Sequence, residues 1–183
     1  MTRIAALNPA DAPATAQPLL AAVKAKLGMV PNLFKTLAHS PAALQYYLSG
    51  SEALAGTSIS AALREQIALA TAGENDCNYC ASAHTLMGKG AGIAATELAA
   101  NLQGRSDNTK TQAALTFAKA IVAERGRVSD ADLAHVRAAG YSDAEITEIV
   151  ATVAANIFTN YFNHVADTVV DFPLVRATAL VAV

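Results

Sequence analysis

The sequence predicts an all-α fold of about seven or eight helices. Glycine and proline punctuate the chain at helix-length intervals, from Gly28 and Pro31 to Gly140 and Pro173. Several of those intervals open on Ser, Asn or Asp, whose side-chain oxygen can take one of the free N–H groups of a first turn. No segment alternates apolar and polar residues for more than a few positions, so a strand has no pattern to form on.

Residues 1 to 13 read as irregular. Thr15 to Leu27 is a helix with Gly28 past its end, and Val30-Pro31-Asn32 turns the chain into a short helix through Ala38. Pro41 opens the next helix, which runs to about Leu54 before Gly56-Thr57-Ser58 breaks it. A helix from near Ser60 is expected to close at Gly73. With Asn75 and Asp76 as caps, another starts at or just before Cys77 and meets Gly88, Gly90 and Gly92. Ala95 to Leu102 is a short helix, followed by a polar loop to Asn108. Thr109 to Arg125 is apolar at Ala113, Phe117, Ala120 and Ile121, one face of a helix that Gly126 ends. Ser129 with Asp132 caps a helix ending at Gly140. Ser142 with Glu145 forms a fuller capping box and launches a long helix to about Val169.

The chemistry is concentrated between Glu65 and His84, a stretch that holds the only two cysteines, Cys77 and Cys80. On a 3.6-residue repeat Cys77, Cys80 and His84 fall on one helical face. The partial positive charge of a helix N-terminus favours a thiolate, and a nearby imidazole can take or return its proton. Glu65 sits among Ala61, Ala62, Ala68 and Leu69 on the preceding helix, so its carboxylate is expected in an apolar contact and in need of a partner. His84 is the natural one.

Other uses of these residue types were weighed. A structural zinc site wants four ligands where the local run offers three, with His164 as a remote fourth. Haem attachment needs His directly after the second cysteine, where Ala81 stands. A thioredoxin-like site would follow a strand, and a structural disulfide here would close too short a loop to restrict the unfolded chain much. His39 and His135 lie at ordinary helix positions and read as non-catalytic. Asn156, Asn160 and His164 form a polar stripe on the long apolar helix. It serves equally as a hydrogen-bond seam between helices or as a lining of the thiol pocket.

Composition narrows the classes. At 183 residues the chain suits a single domain, residues 1–183, and no stretch resembles a linker. A net charge of −2 leaves no electrostatic footprint for nucleic acid. Hydrophobic residues make up 53% and charged ones 15%, with a mean hydropathy of +0.30, which points to burial between subunits of a homo-oligomer. The 18-residue uncharged run 149–166 carries three Asn and a His and reads as a helix buried in protein, not a membrane span. Pro9, Asp11 and Pro13 interrupt any leader-like apolar run, so a cytoplasmic location is expected, where a CxxC pair cycles rather than staying oxidised.

Glu65, eleven residues, Cys77-x-x-Cys80, three residues, His84 resembles the signature of the AhpD-like alkylhydroperoxidases of the carboxymuconolactone decarboxylase superfamily, the resemblance being concentrated in about residues 45–125. The segment Asn160 to Asp167, with Asp171-Phe172-Pro173, is similar to the C-terminal part of peroxidase-related members. The resemblance implies an AhpD-like helical fold, a trimer or hexamer, Cys80 as the peroxidatic thiol, Cys77 as the resolving one, and Glu65 and His84 as the proton relay. It implies a hydroperoxide substrate, an external dithiol reductant such as a lipoyl-bearing protein, and no metal or organic cofactor. Well-studied members carry histidine between the cysteines where this chain has Tyr79, a departure that points to a shorter relay and a different substrate. Tyr79, Asn160 and His164 are the candidate pocket-lining residues. The alternatives are a decarboxylase of the same superfamily, which would not need the cysteine pair, and a redox-responsive oligomer without turnover.

Overall fold

The computed structural model describes residues 2–178, and among these every regular element is helical. A 3₁₀ turn at Pro9–Asp11 precedes nine α-helices: α1 (Gln17–Leu27), α2 (Asn32–Leu37), α3 (Pro41–Ala55), α4 (Ala61–Glu74), α5 (Asn78–Gly90), α6 (Ala95–Leu102), α7 (Thr109–Ala123), α8 (Asp130–Ala138) and α9 (Asp143–Ala166). Each corresponds to a segment that the sequence marks as helical, the short α2 included, which makes nine where about seven or eight were expected. Caps account for the openings: Ser40, Ser60 and Asn108 each accept a backbone N–H of the first turn, and Ser129 and Ser142 form full capping boxes.

Helix α4 lies at the centre, packed against α5, α6, α7 and α9. Two apolar clusters meet on it. Leu69 and Ala72 belong to the cluster with α1, α2, α5 and the cysteines, whereas Leu63, Ile67 and Ala70 belong to the cluster with α7, α8 and α9. Its last turns, Ala68 to Gly73, are almost all small residues, which lets four helices approach one axis.

Gly73 does not end α4 as the sequence suggested. The helix continues to Glu74, and a Cβ on Gly73 would sit 1.9 Å from the Leu102 carbonyl oxygen, so this glycine is a close-approach position against the end of α6. The cap role passes to Asn75. Asp76 then takes a left-handed conformation (φ 52°), and Cys77 rather than Asn75 or Asp76 becomes the N-cap of α5. Helix α9 likewise stops at Ala166, before the expected Val169, because left-handed Asp167 (φ 50°) closes it with N–H bonds to the Asn163 and His164 carbonyls. The segment after α9 crosses the outer face of α5: Val175 N donates to Ser82 Oγ (2.9 Å) and Ala177 N to Asn78 Oδ1 (2.8 Å).

Gly73→Ala should destabilise the protein by about 2 kcal/mol or more, since a backbone carbonyl cannot yield as a side chain can. Gly56→Ala, where a Cβ meets nothing closer than 3.5 Å, should change stability by less than about 0.5 kcal/mol. Chemical denaturation followed by circular dichroism compares the two.

Candidate active site

The tight turn Asn75-Asp76 sets α5 against α4 so that His84, two turns into α5, reaches Glu65 on α4. His84 Nδ1 lies 2.7 Å from Glu65 Oε2, with the side chains 16% and 21% exposed. Burial disfavours the charged imidazole. The Glu65 carboxylate, by charge and by hydrogen bond, together with the Cys80 sulfur and the Asn156 side chain, outweighs that cost and raises the His84 pKa above 6.5. With Nδ1 held by Glu65, the other ring nitrogen is the one that can exchange a proton.

Both thiols are free and buried, Cys77 1% and Cys80 3% exposed. They titrate in opposite directions. Cys80 is lowered chiefly by the hydrogen bond from Cys77, against the effect of burial, with help from the His84 charge and the amides of Asn163 and Asn160. Cys77 is raised by the hydrogen bond it gives to Cys80, by burial and by the Cys80 charge. The opposed shifts favour the proton on Cys77 and the anionic form at Cys80. Cys80 also occupies the first turn of α5, where unpaired backbone N–H groups favour an anion.

A cavity of about 600 Å³ opens beside this group. Its polar lining includes Glu65, His84, Tyr47, Asn156 and Thr159, with Arg64 and Glu52, and Leu19, Val23, Phe34, Leu48 and Met87 are among its apolar lining. Neither sulfur lines it directly. Cys80 Sγ lies behind Thr159, 3.9 Å from Thr159 Oγ1. Tyr47 stays protonated, its phenol pushed up to about 12 by burial first and then by the Cys80 charge.

The structure brings together Glu65, Cys77, Cys80 and His84, and treats the other candidates differently. Tyr79 is not on the cavity wall. Its ring is buried edge-on against Phe172 (5.5 Å), while its hydroxyl donates to Asp171 Oδ1 (2.9 Å) and accepts from Leu33 N (3.0 Å), tying α5 to α2 and to the C-terminal segment. His164 is exposed and lies 3.3 Å from the Asp76 carbonyl oxygen, away from the thiols. Asn160 is off the cavity wall too, fully buried, accepting from Asn75 Nδ2 (2.9 Å) with its own Nδ2 turned to Cys80.

Sequence reasoning missed Asn163, whose Nδ2 lies 3.3 Å from Cys80 Sγ, and Thr159. The signal was present. On a helix, i+7 falls about 20° from the starting residue and i+8 about 80° from it, so Asn163 and not His164 shares the face of Asn156. Thr152, Asn156, Thr159 and Asn163 make that buried stripe.

Residues 41–124, from the start of α3 through α7, match the model of the carboxymuconolactone decarboxylase family. No match was found among curated proteins. Among solved structures, the alkylhydroperoxidase AhpD core of an uncharacterized peroxidase-related protein from Ralstonia eutropha JMP134 superposes with a TM-score of 0.81 at 26% identity, over 93% of this chain and 92% of that one. An uncharacterized peroxidase-related protein from Silicibacter sp. TM1040 gives 0.80 at 23% identity, over 91% of each chain. A cysteine-to-alanine variant of the debrominase Bmp8, in complex with 2,3,4-tribromopyrrole, gives 0.80 at 22% identity, over 93% of this chain and 92% of that one. The matched region carries Glu65, Cys77, Cys80 and His84 in one group, and the chain shares the AhpD-like helical fold of these peroxidase-related structures.

Proposed function

We propose that the protein is a thiol-dependent peroxidase that reduces hydroperoxides with Cys80 and Cys77. The observation that carries this reading is the 2.7 Å Glu65–His84 pair, which holds an imidazole of raised pKa on the cavity wall beside two buried cysteines. The Cys80 thiolate attacks the terminal peroxide oxygen; the S–O bond forms, the O–O bond breaks, and the alkoxide leaves with a proton from His84. Sulfur is oxidised by two electrons and the peroxide is reduced to alcohol. Cys77 then attacks the sulfenic acid, forming the disulfide and releasing water, and an external dithiol, a lipoyl-bearing protein for example, reduces the pair. Such cycling suits a cytoplasmic, reducing setting. A decarboxylase would leave the opposed titration of the two thiols without a use.

The same dithiol could supply two electrons to a carbon–bromine bond, giving C–H, bromide and the disulfide, the type of reaction named for Bmp8. Assays with a hydroperoxide and with 2,3,4-tribromopyrrole separate the two. The reading also includes a homo-oligomer, trimer or hexamer. It is supported by exposed Tyr46 and Val150 and by an apolar groove of about 360 Å³ between α3 and α9.

Cys80→Ser should abolish peroxide turnover, whereas Cys77→Ser should complete one oxidation and accumulate a sulfenic acid. Mass spectrometry after a single turnover that found stable oxidation at Cys77 would reverse the roles.

The rate should depend on pH as a bell. It should rise as Cys80 loses its proton, below the ordinary thiol range because that pKa is lowered, and fall as His84 loses its own, above 6.5 because that one is raised. Glu65→Gln and His84→Asn should each move the acid limb upward and cost on the order of 10²- to 10⁴-fold in turnover. The double variant should cost little more than either alone. Additive losses, or an unshifted acid limb in Glu65→Gln, would refute the relay.

Light scattering should report a multimer. A mass near 18.8 kDa across working concentrations would exclude the oligomer.

A further inference from the structure

Two side-chain amides of α9 lie beside the Cys80 sulfur. Asn163 Nδ2 is 3.3 Å from Sγ, and Asn160 Nδ2, on a fully buried residue, has no hydrogen-bond partner. Both residues are more than nine-tenths buried. Asn160 is fixed by the bond its Oδ1 accepts from Asn75, in the turn that leads to Cys77, so its Nδ2 direction is set by the same element that presents the thiols. Buried donors left without acceptors are costly, and two aimed at one atom call for a negative charge there. Thr159, by contrast, has its hydroxyl proton committed to the Asn156 carbonyl (3.0 Å), so at 3.9 Å from the sulfur it gives the anion no hydrogen bond.

We propose that Asn160 and Asn163 form a neutral donor cradle that positions the Cys80 anion and then takes the oxygen added to it, with Asn160 Nδ2 as the donor awaiting that oxygen. The second half of this role rests on the peroxidase reading; the first does not. Atoms balance as in that reading: the S–O bond is made by the peroxide oxygen, and the cradle supplies hydrogen bonds only, no proton and no electron. The class of ligand is thus a sulfur anion and its oxygen adduct, held inside the protein. Neutral amides suit both states. A cation in their place would hold the thiolate too tightly for attack, whereas an amide pair follows the charge from sulfur to oxygen without titrating.

The titratable groups coupled by charge or hydrogen bond to Cys80 are Cys77 at the N-cap of α5, Tyr79 and His84 on α5 and Tyr47 on α3, with Glu65 of α4 acting through His84; from α9 only amides and hydroxyls reach it. The cradle is therefore separable from them by its own variants. Alkylation of Cys80 against pH, resolved from Cys77 by mass spectrometry, reads the thiolate directly. Asn163→Leu, close in shape but without a donor, should raise the Cys80 midpoint by about one pH unit, the order of one hydrogen bond to a charged group, and slow alkylation at neutral pH up to tenfold. Asn163→Gln, which keeps the donor, should restore most of that loss. Asn160→Asp keeps the acceptor for Asn75 but replaces the donor with an acid, and should raise the midpoint as well. In a Cys77→Ser background, given one equivalent of hydroperoxide, Asn160→Asp should also shorten the lifetime of the sulfenic acid several-fold. An unmoved midpoint in folded Asn163→Leu, confirmed by circular dichroism, would overturn the cradle. A moved midpoint without any sulfenic acid in the parent protein would leave the thiolate half standing and refute the peroxidase reading, together with the oxygen half. Should Asn163→Leu fail to fold, the Asn160→Asp midpoint decides alone, and no shift there overturns the proposal.

Discussion

The fold depends on how closely four helices can approach α4. Its C-terminal half is built from Ala68, Ala70, Thr71, Ala72 and Gly73, and at Gly73 the α6 backbone comes nearer than any side chain would permit. Large residues there would push α5 and α6 outward by more than the tolerance of a hydrogen bond, and the Glu65–His84 contact at 2.7 Å would be the first to open. The site is thus a consequence of backbone proximity. Only Glu65 and Gln66 carry a long polar side chain toward neighbouring helices from the buried part of α4, one to His84 and the other to Glu97.

Electrostatically, the thiol pair is a contest that burial alone would lose. Nearly complete removal from water raises a thiol pKa, as it does for Tyr47 and Tyr79 nearby. Cys80 goes the other way because several modest donors act on one atom: the Cys77 S–H, the His84 charge and two amides, added to the first turn of α5. The pair differs between its members by position. Cys77, as N-cap, donates, and Cys80, within the first turn, receives, and this position supports the proposed assignment of Cys80 as the attacking sulfur. His164, the remote fourth ligand a zinc site would have needed, instead bonds the Asp76 carbonyl oxygen at 3.3 Å.

Much of this was legible in the sequence. Helix openings were readable because Ser40, Ser60, Ser129 and Ser142 cap by local chemistry, and the grouping of Glu65 with His84 followed from the need of a half-buried carboxylate for a partner. What was not legible depended on distant contacts. Gly73 looked like a helix stop because its true reason, the Leu102 carbonyl, lies a helix away in sequence. Tyr79 looked like a pocket residue because nothing local reveals that Asp171 and Leu33 would claim its hydroxyl. Asn163 was overlooked through an angular miscount on α9, an error of reading and not of information.

Tyr79 shows how these constraints interlock. The residue between two thiols sits on the second position of α5, pointing away from α4 and toward α2 and the C-terminal segment, since neighbours one apart on a helix do not face the same way as Cys80. A histidine there could carry protons only if its outer side met solvent or another relay. In this chain that side is closed by Phe172 and held by Asp171, which also takes the N–H of Asn32 at 2.8 Å. On the proposed reading the proton path then runs on the cavity side, through His84 to Glu65, and the anion is steadied from α9. Using the intervening residue as a brace and using α9 amides as donors are two parts of one solution, in which the turn around the thiols is made rigid and the chemistry is moved to its opposite face.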